Sequence, residues 1–171
     1  MTNALIILGN QLFPIKYIRE IKPDCVYMRE DYQLCTFQKH HKHKITLFLS
    51  AMRSYKDDLI SSKIDVHYYE LNPDLTDTYT SYLINFITEK NIEELNFFEI
   101  EDKWFEKEIL GLKKDCEVKI NIIKTPMFIT NRDEFLALSP PSKTLPKYKM
   151  ASFYIAQRKK MKLIKYILYK K

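Results

Sequence analysis

Glycine is nearly absent: the 171 residues contain two, Gly9 and Gly111. Two glycines cannot form a G-x-G-x-x-G fingerprint or a Walker A loop, so the familiar dinucleotide sites and P-loop NTPases are excluded. Cysteine is scarce as well. Cys25, Cys35 and Cys116 have no C-x-x-C spacing, which argues against a disulfide framework and a cysteine zinc site and favours a reducing, cytoplasmic compartment. Long hydrophobic runs are missing. Ala4 to Leu8 falls far below the ~18 residues of a membrane span, and Met1-Thr2-Asn3-Ala4 lacks the basic start of a signal peptide. Acidic residues are missing from one segment only. Residues 135–171 hold no Asp or Glu and ten Lys or Arg, against 18 basic and 22 acidic side chains in the first 134. The net charge of +6 therefore belongs to the C-terminal segment, a distribution often found opposite an anionic partner and also in solvated basic helices.

What remains is ordinary globular composition, 46% hydrophobic and 29% charged, which excludes disorder as the main state. A chain of this length buries about 70% of its unfolded surface, enough for one sizeable core. Five apolar runs read as strands. They are Ala4–Leu8, Cys25–Met28, Val66–Tyr69 with Leu71, Leu95–Ile100 and Val118–Ile123. Helical spacing lies between them. Ile45, Phe48, Leu49, Met52 and Leu59 share one face. Tyr82, Leu83, Phe86 and Ile87 form a second helix, capped by Thr76 or Asp77, and Trp104, Phe105, Glu108 and Leu112 a third. Pro14 to Ile21 forms one or two turns. Strands alternating with helices predict an α/β fold. The expected core is a Rossmann-like five-stranded parallel sheet, order 3-2-1-4-5, with helices on both faces and a basic C-terminal helix after it. The expected organisation is an α/β domain over 1–138, a linker over 139–149 around Ser139-Pro140-Pro141-Ser142, and a basic amphipathic helix over 150–171.

In such sheets ligands sit at the carboxyl ends of the strands where the order reverses. Here those loops contain Gly9, Asn10, Gln11 and Leu12 after strand 1, and Arg29, Glu30 and Asp31 after strand 2. Gly9 permits an unusual turn or a close approach. Asn10 and Gln11 offer donors and acceptors suited to an uncharged heteroaromatic ring, or they shape a turn. His40-His41-Lys42-His43-Lys44 reads as a basic first turn of the long helix with capacity for an anion. The lysines disfavour a metal, and none is expected. Seven carboxylates lie between Glu93 and Glu108, as an acid–base pair or, more simply, a solvated face.

The run from His40 to Arg53, with His40-His41-Lys42, Lys44-Ile45 and Ser50-Ala51-Met52-Arg53, resembles the H-H-K-x-K-I…S-A-M-R signature of the bacterial cryptochrome/photolyase-related proteins, which include the iron–sulfur (6-4) photolyases. Gly9-Asn10-Gln11-Leu12 is similar to their G-D-Q-L turn. Thr125-Pro126-Met127-Phe128 with Asn131-Arg132, and Met150-Ala151-Ser152-Phe153-Tyr154 with Gln157-Arg158-Lys159-Lys160, resemble two later blocks. The resemblance implies an N-terminal antenna-type domain that holds a light-harvesting chromophore, a dimethyl-ribityllumazine in the iron–sulfur members. Carried over to this chain, the cofactor-binding residues are Gly9, Asn10, Gln11, Leu12, Glu30, Asp31, Phe37, His41 and Lys44. The expected ligand is a lumazine- or flavin-type chromophore. Where iron–sulfur members have an aspartate, a glutamate and a tyrosine, this chain has Asn10, Leu34 and Phe37. The family's helical domain, with its FAD and [4Fe–4S] cluster, is expected to be missing, so repair by this chain alone is not expected. One alternative is a DNA-binding module using Arg158, Lys159, Lys160 and Lys162. Another is a truncated remnant whose exposed apolar stripe favours a homodimer or association with a membrane surface. In the antenna reading the domain stands alone or acts with a separate helical-domain partner.

Overall fold

The computed structural model describes residues 2–72, 77–114, 116–138 and 150–162, without the side chain of Leu34. The chain divides into two compact units, 1–127 and 128–171. The first unit carries β1 (Asn3–Ile6), α1 (Ile15–Ile21), β2 (Cys25–Arg29), α2 (Tyr32–Thr36), α3 (Lys42–Ser61), β3 (Val66–Tyr69), α4 (Tyr79–Lys90), β4 (Glu94–Phe98), α5 (Lys103–Gly111) and β5 (Lys119–Ile123). The strands form one parallel sheet, ordered β3-β2-β1-β4-β5 as the alternation of elements predicts.

The apolar runs are continuous because both faces of the central strands are covered. Ala4, Ile6, Cys25, Tyr27, Leu95 and Phe97 pack under α4 and α5. Their neighbours Leu5, Ile7, Val26, Met28 and Phe98 pack under α1 and α3 on the other face. Boundaries differ from the sequence reading where backbone bonds leave the ladder. β1 ends at Ile6, two residues early. Ile7 N–H still reaches Tyr27 O at 3.0 Å, but the Leu8 carbonyl then accepts from Gln11 N–H at 2.8 Å and the chain turns. α4 is capped by Thr78, whose hydroxyl accepts from Ser81 N–H, rather than by Asp77; Thr76 lies outside the described residues. On α3 the buried residues are Met52, Tyr55 and Leu59, while Ile45, Phe48 and Leu49 line the cavity described below. Trp104 is exposed rather than core.

The second unit contains α6 (Arg132–Ala137) and α7 (Met150–Lys160). Asn131 and Glu134 close a capping box at the start of α6. Phe135 and Phe153 meet edge to face at 5.2 Å. The expected linker over 139–149 and the helix beyond residue 162 lie outside the described residues. No helix among the described residues is long and apolar enough to cross a membrane.

Scarcity of glycine leaves a mark on the backbone. Neither glycine has positive φ, and in the first unit the left-handed positions are held by Lys22, Lys63 and Asn91. Lys22 closes α1, its N–H reaching Ile18 O at 3.2 Å. The left-handed region costs an L-residue roughly 1–2 kcal/mol. Glycine's greater freedom in the unfolded chain returns about 0.4–1 kcal/mol of that. Lys22→Gly is therefore expected to raise stability in urea unfolding by about 0.5–1 kcal/mol. A loss of stability would mean that the Lys22 side chain contributes more than the strain costs.

Candidate functional site

Because α1 and α3 cover one face of the sheet and α4 and α5 the other, the chains leaving β1 and β4 diverge at their carboxyl ends. A cavity of about 280 Å³ opens there, near the lower bound of ligand cavities, about 300 Å³. α3 supplies Lys44, Ile45, Phe48, Leu49 and Met52. Tyr79, Ile100, Glu101 and Phe105 come from α4 and from the loop after β4 into α5. Leu8, Gly9 and Asn10 follow β1, while Arg29 and Asp31 close β2, with Cys35 and His40 beyond them.

Gly9 is favoured by proximity rather than by φ. A Cβ there would stand 2.4 Å from the Phe48 ring and 2.7 Å from the Met52 sulfur. The missing side chain thus lets α3 approach the end of β1. Asn10 Nδ2 donates to Glu101 Oε2 at 2.9 Å, and Gln11 Nε2 donates to Glu99 O at 2.9 Å. These two bonds tie the β1 loop to the β4 loop. Gln11 itself is buried, and Leu12 packs with the α1 and α3 core, so neither lines the cavity.

Glu30 and its neighbours part company because side chains alternate along β2. Glu30 turns toward α3, where its carboxylate accepts from Arg53 Nε (2.6 Å), Arg53 Nη2 (2.9 Å), Tyr68 Oη (2.5 Å) and Leu71 N–H (2.8 Å). Burial alone would raise its pKa. The hydrogen bonds from Arg53, Tyr68 and Leu71, with the Arg53 charge, outweigh burial and hold it below its ordinary 4.5. Glu30 is thereby committed to a structural clasp and does not line the cavity. Arg29 turns to the opposite face, and its guanidinium lies 3.3 Å from the Tyr82 ring centre.

Three buried polar atoms of cavity-lining residues have no hydrogen-bond partner: Arg29 Nη1, Tyr79 Oη and Glu101 Oε1. Arg29 is 7% and Tyr79 6% exposed. Burial first, then the Tyr27 and Asp31 charges, push the Tyr79 hydroxyl well above its ordinary pKa against the pull of Arg29. It stays protonated and able to donate. The Cys35 thiol is also raised, by burial and then by Asp31 and Glu30, so it is a poor nucleophile.

Of the residues carried over by resemblance, the cavity brings together Gly9, Asn10, Asp31 and Lys44. Phe37 is 82% exposed and stands apart from it. His41 caps α3, its Nδ1 accepting from His43 N–H at 3.2 Å. Arg29, which closes β2 at the edge where ligands were expected, and His40, from the basic cluster, also line the cavity. Sequence reasoning missed Tyr79, which precedes the helical pattern that begins at Tyr82. In the second unit Lys160 pairs with Glu134 at 2.7 Å and Arg158 lies 5.4 Å from the Tyr154 ring, while Lys159 and Lys162 are exposed. Among the described residues no three His, Cys, Asp or Glu side chains group as a metal site.

A protein-family model described as deoxyribodipyrimidine photo-lyase-related protein matches residues 5–165. The chain belongs to that family. No curated protein matches the chain. The block from His40 to Arg53, through which the chain resembles photolyase-related proteins, is the cap and first part of α3. It caps the helix at one end, lines the cavity along its length, and clasps Glu30 at the other end.

The clasp is testable by pH. A carboxylate whose folded pKa is depressed contributes stability above its unfolded value, and that contribution is lost as pH falls through the folded one. For Glu30 the loss begins near 4.5 and continues below it. Arg53→Met removes two of the four bonds to Glu30. It is expected to cost about 1–3 kcal/mol at neutral pH and to shift the acid unfolding midpoint upward, read by circular dichroism. An unchanged midpoint would show that the pair contributes nothing.

Proposed function

We propose that the first unit is an antenna-type ligand-binding domain that holds a small planar chromophore at the carboxyl edge of its sheet. The observation that carries this reading is the cavity itself. It stands where the strand order reverses, and its walls are largely apolar. A bicyclic heteroaromatic of the lumazine kind suits these residues. Its volume is limited by the narrow space, and Phe48, Leu49, Met52 and Phe105 offer apolar contact. Gly9 lets α3 close on the ligand, and Asn10 with Glu101 supplies a polar edge in place of the family's aspartate. Such a chromophore, when bound, supplies absorption of near-ultraviolet and blue light. The protein's part is to hold it, orient it and exclude water.

The test is the absorption and fluorescence of purified protein, before and after denaturation, followed by titration with lumazine and riboflavin. The expected result is a visible or near-ultraviolet band that shifts on unfolding, or saturable binding of an added ligand. Ile45→Trp, which fills the cavity from α3, should weaken that binding by about tenfold or more, equivalent to about 1.4 kcal/mol, with helicity retained. A featureless spectrum with no binding of either compound would contradict the proposal.

A further inference from the structure

We infer that the rim of the cavity mouth is a docking surface for an anionic lipid bilayer, with Phe37, Leu47 and Trp104 entering the interface and the basic start of α3 facing the headgroups. The inference is independent of what the cavity holds.

Two helices begin at the carboxyl edge, because α3 follows β2 and α5 follows β4 in a parallel sheet. The chain around those two starts carries the most exposed large apolar side chains among the described residues of the first unit. Trp104 is 86%, Phe37 82% and Leu47 71% exposed. Each neighbours residues that line the cavity without lining it itself. Phe37 stands between Cys35 and His40, Leu47 beside Phe48, and Trp104 beside Phe105. The three therefore gather around one mouth. Single exposed apolar residues are ordinary, whereas a group of them marks an interaction site.

Charge of one sign surrounds them. Residues 32–56 contain no Asp or Glu, against five Lys or Arg and three His. Arg53 is engaged by Glu30, and Lys56 pairs with Asp57 at 3.3 Å, both further along α3. Lys39, Lys42 and Lys44 are exposed, and none forms an ion pair among the described residues. On the α5 side, the exposed Lys103 precedes Trp104. The carboxylates there are engaged: Glu101 accepts from Asn10, and Asp102 accepts from Trp104 N–H at 2.8 Å and Phe105 N–H at 3.0 Å.

Composition decides between anionic partners. Protein interfaces are depleted in lysine. Directional recognition of phosphate or carboxylate favours the arginine fork, and the arginine of this segment is spent on Glu30. Leu47 has no ring face on which a base could stack. Lysines acting as diffuse charge beside Phe, Leu and Trp are what a surface lying in a membrane interface requires.

Trp104 is the sole tryptophan, so its emission reports on this surface alone. The test is a fluorescence titration of the full chain with vesicles of phosphatidylcholine, and of phosphatidylcholine with about one-third phosphatidylserine. Anionic vesicles should shift Trp104 emission to the blue, and acyl-brominated lipids in them should quench it. Neutral vesicles should do neither. Salt at about 1 M, where the screening length is about 3 Å, should abolish the response. Lys39→Gln with Lys42→Gln should weaken binding about 25-fold, at about fivefold for each lysine. Leu47→Ser should weaken it by about tenfold. Unchanged circular dichroism of the variants excludes loss of fold as the cause. Co-sedimentation with vesicles that leaves Trp104 emission unshifted would place the contact elsewhere on the chain and overturn the inference. Equal binding to neutral vesicles, or wild-type affinity in the variants, would also overturn it. A Trp104 response to a single-stranded oligonucleotide or to polyglutamate, with none to anionic vesicles, would overturn it in favour of that partner.

Discussion

A buried carboxylate with four donors organises the carboxyl edge of this sheet. Glu30 has no exposed side-chain surface, and a buried charge is tolerated only where hydrogen bonds replace the lost water. Two of its donors belong to one guanidinium, in the bidentate geometry that makes Arg–carboxylate pairs strong. The others come from β3 and from the backbone just after it. The clasp thus joins three successive pieces of chain: the end of β2, the middle of α3 and the exit of β3. With Arg53 held there and Met52, Tyr55 and Leu59 packed below, the N-terminal half of α3 lies against the end of β1. Gly9 suits that arrangement, since a Cβ there would displace the Phe48 ring and the Met52 sulfur from their present places.

The cavity is a consequence of the same arrangement. Strand order reverses at β1, so the chain leaves neighbouring strands toward opposite faces. α3 bounds the gap from one face, and α4 with α5 from the other. Two polar ties, Asn10 to Glu101 and Gln11 to Glu99, close it at the β1–β4 side. The family block at the start of α3 therefore reads as a single mechanical element. Its cap, its cavity-lining stretch and its clasp occupy consecutive parts of one helix.

Much of this was legible in the residues. Central strands buried on both faces must be apolar throughout, so the runs Ala4–Leu8, Cys25–Met28 and Leu95–Ile100 were visible, and their alternation with helical spacing implied the sheet order. The position of the site followed from topology, which brought Gly9, Asn10, Asp31 and Lys44 to one cavity. What stayed hidden depended on single-residue facing. Arg29, Glu30 and Asp31 are adjacent, and only the pleat of β2 decides that Glu30 turns to α3 and Arg29 to α4. Tyr79 sits in the first turn of α4, where the cap at Thr78 places it. A reading that began the helix pattern at Tyr82 could not reach it. The short helix α2 was too brief to show a period. The start of α6 did carry a signal, Asn131 three residues before Glu134, and the structure closes it as a capping box.

The central claim is that a ligand seats at the carboxyl edge between the two helical layers. A titration of isotope-labelled protein with lumazine, followed by amide and side-chain NMR shifts, tests it most directly. The account predicts saturable shifts confined to Gly9, Asn10, Arg29, Tyr79, Glu101 and the α3 residues from Lys44 to Met52. Shifts concentrated on Arg158, Lys159 and Lys160 of α7, or none at saturating concentration, would contradict it.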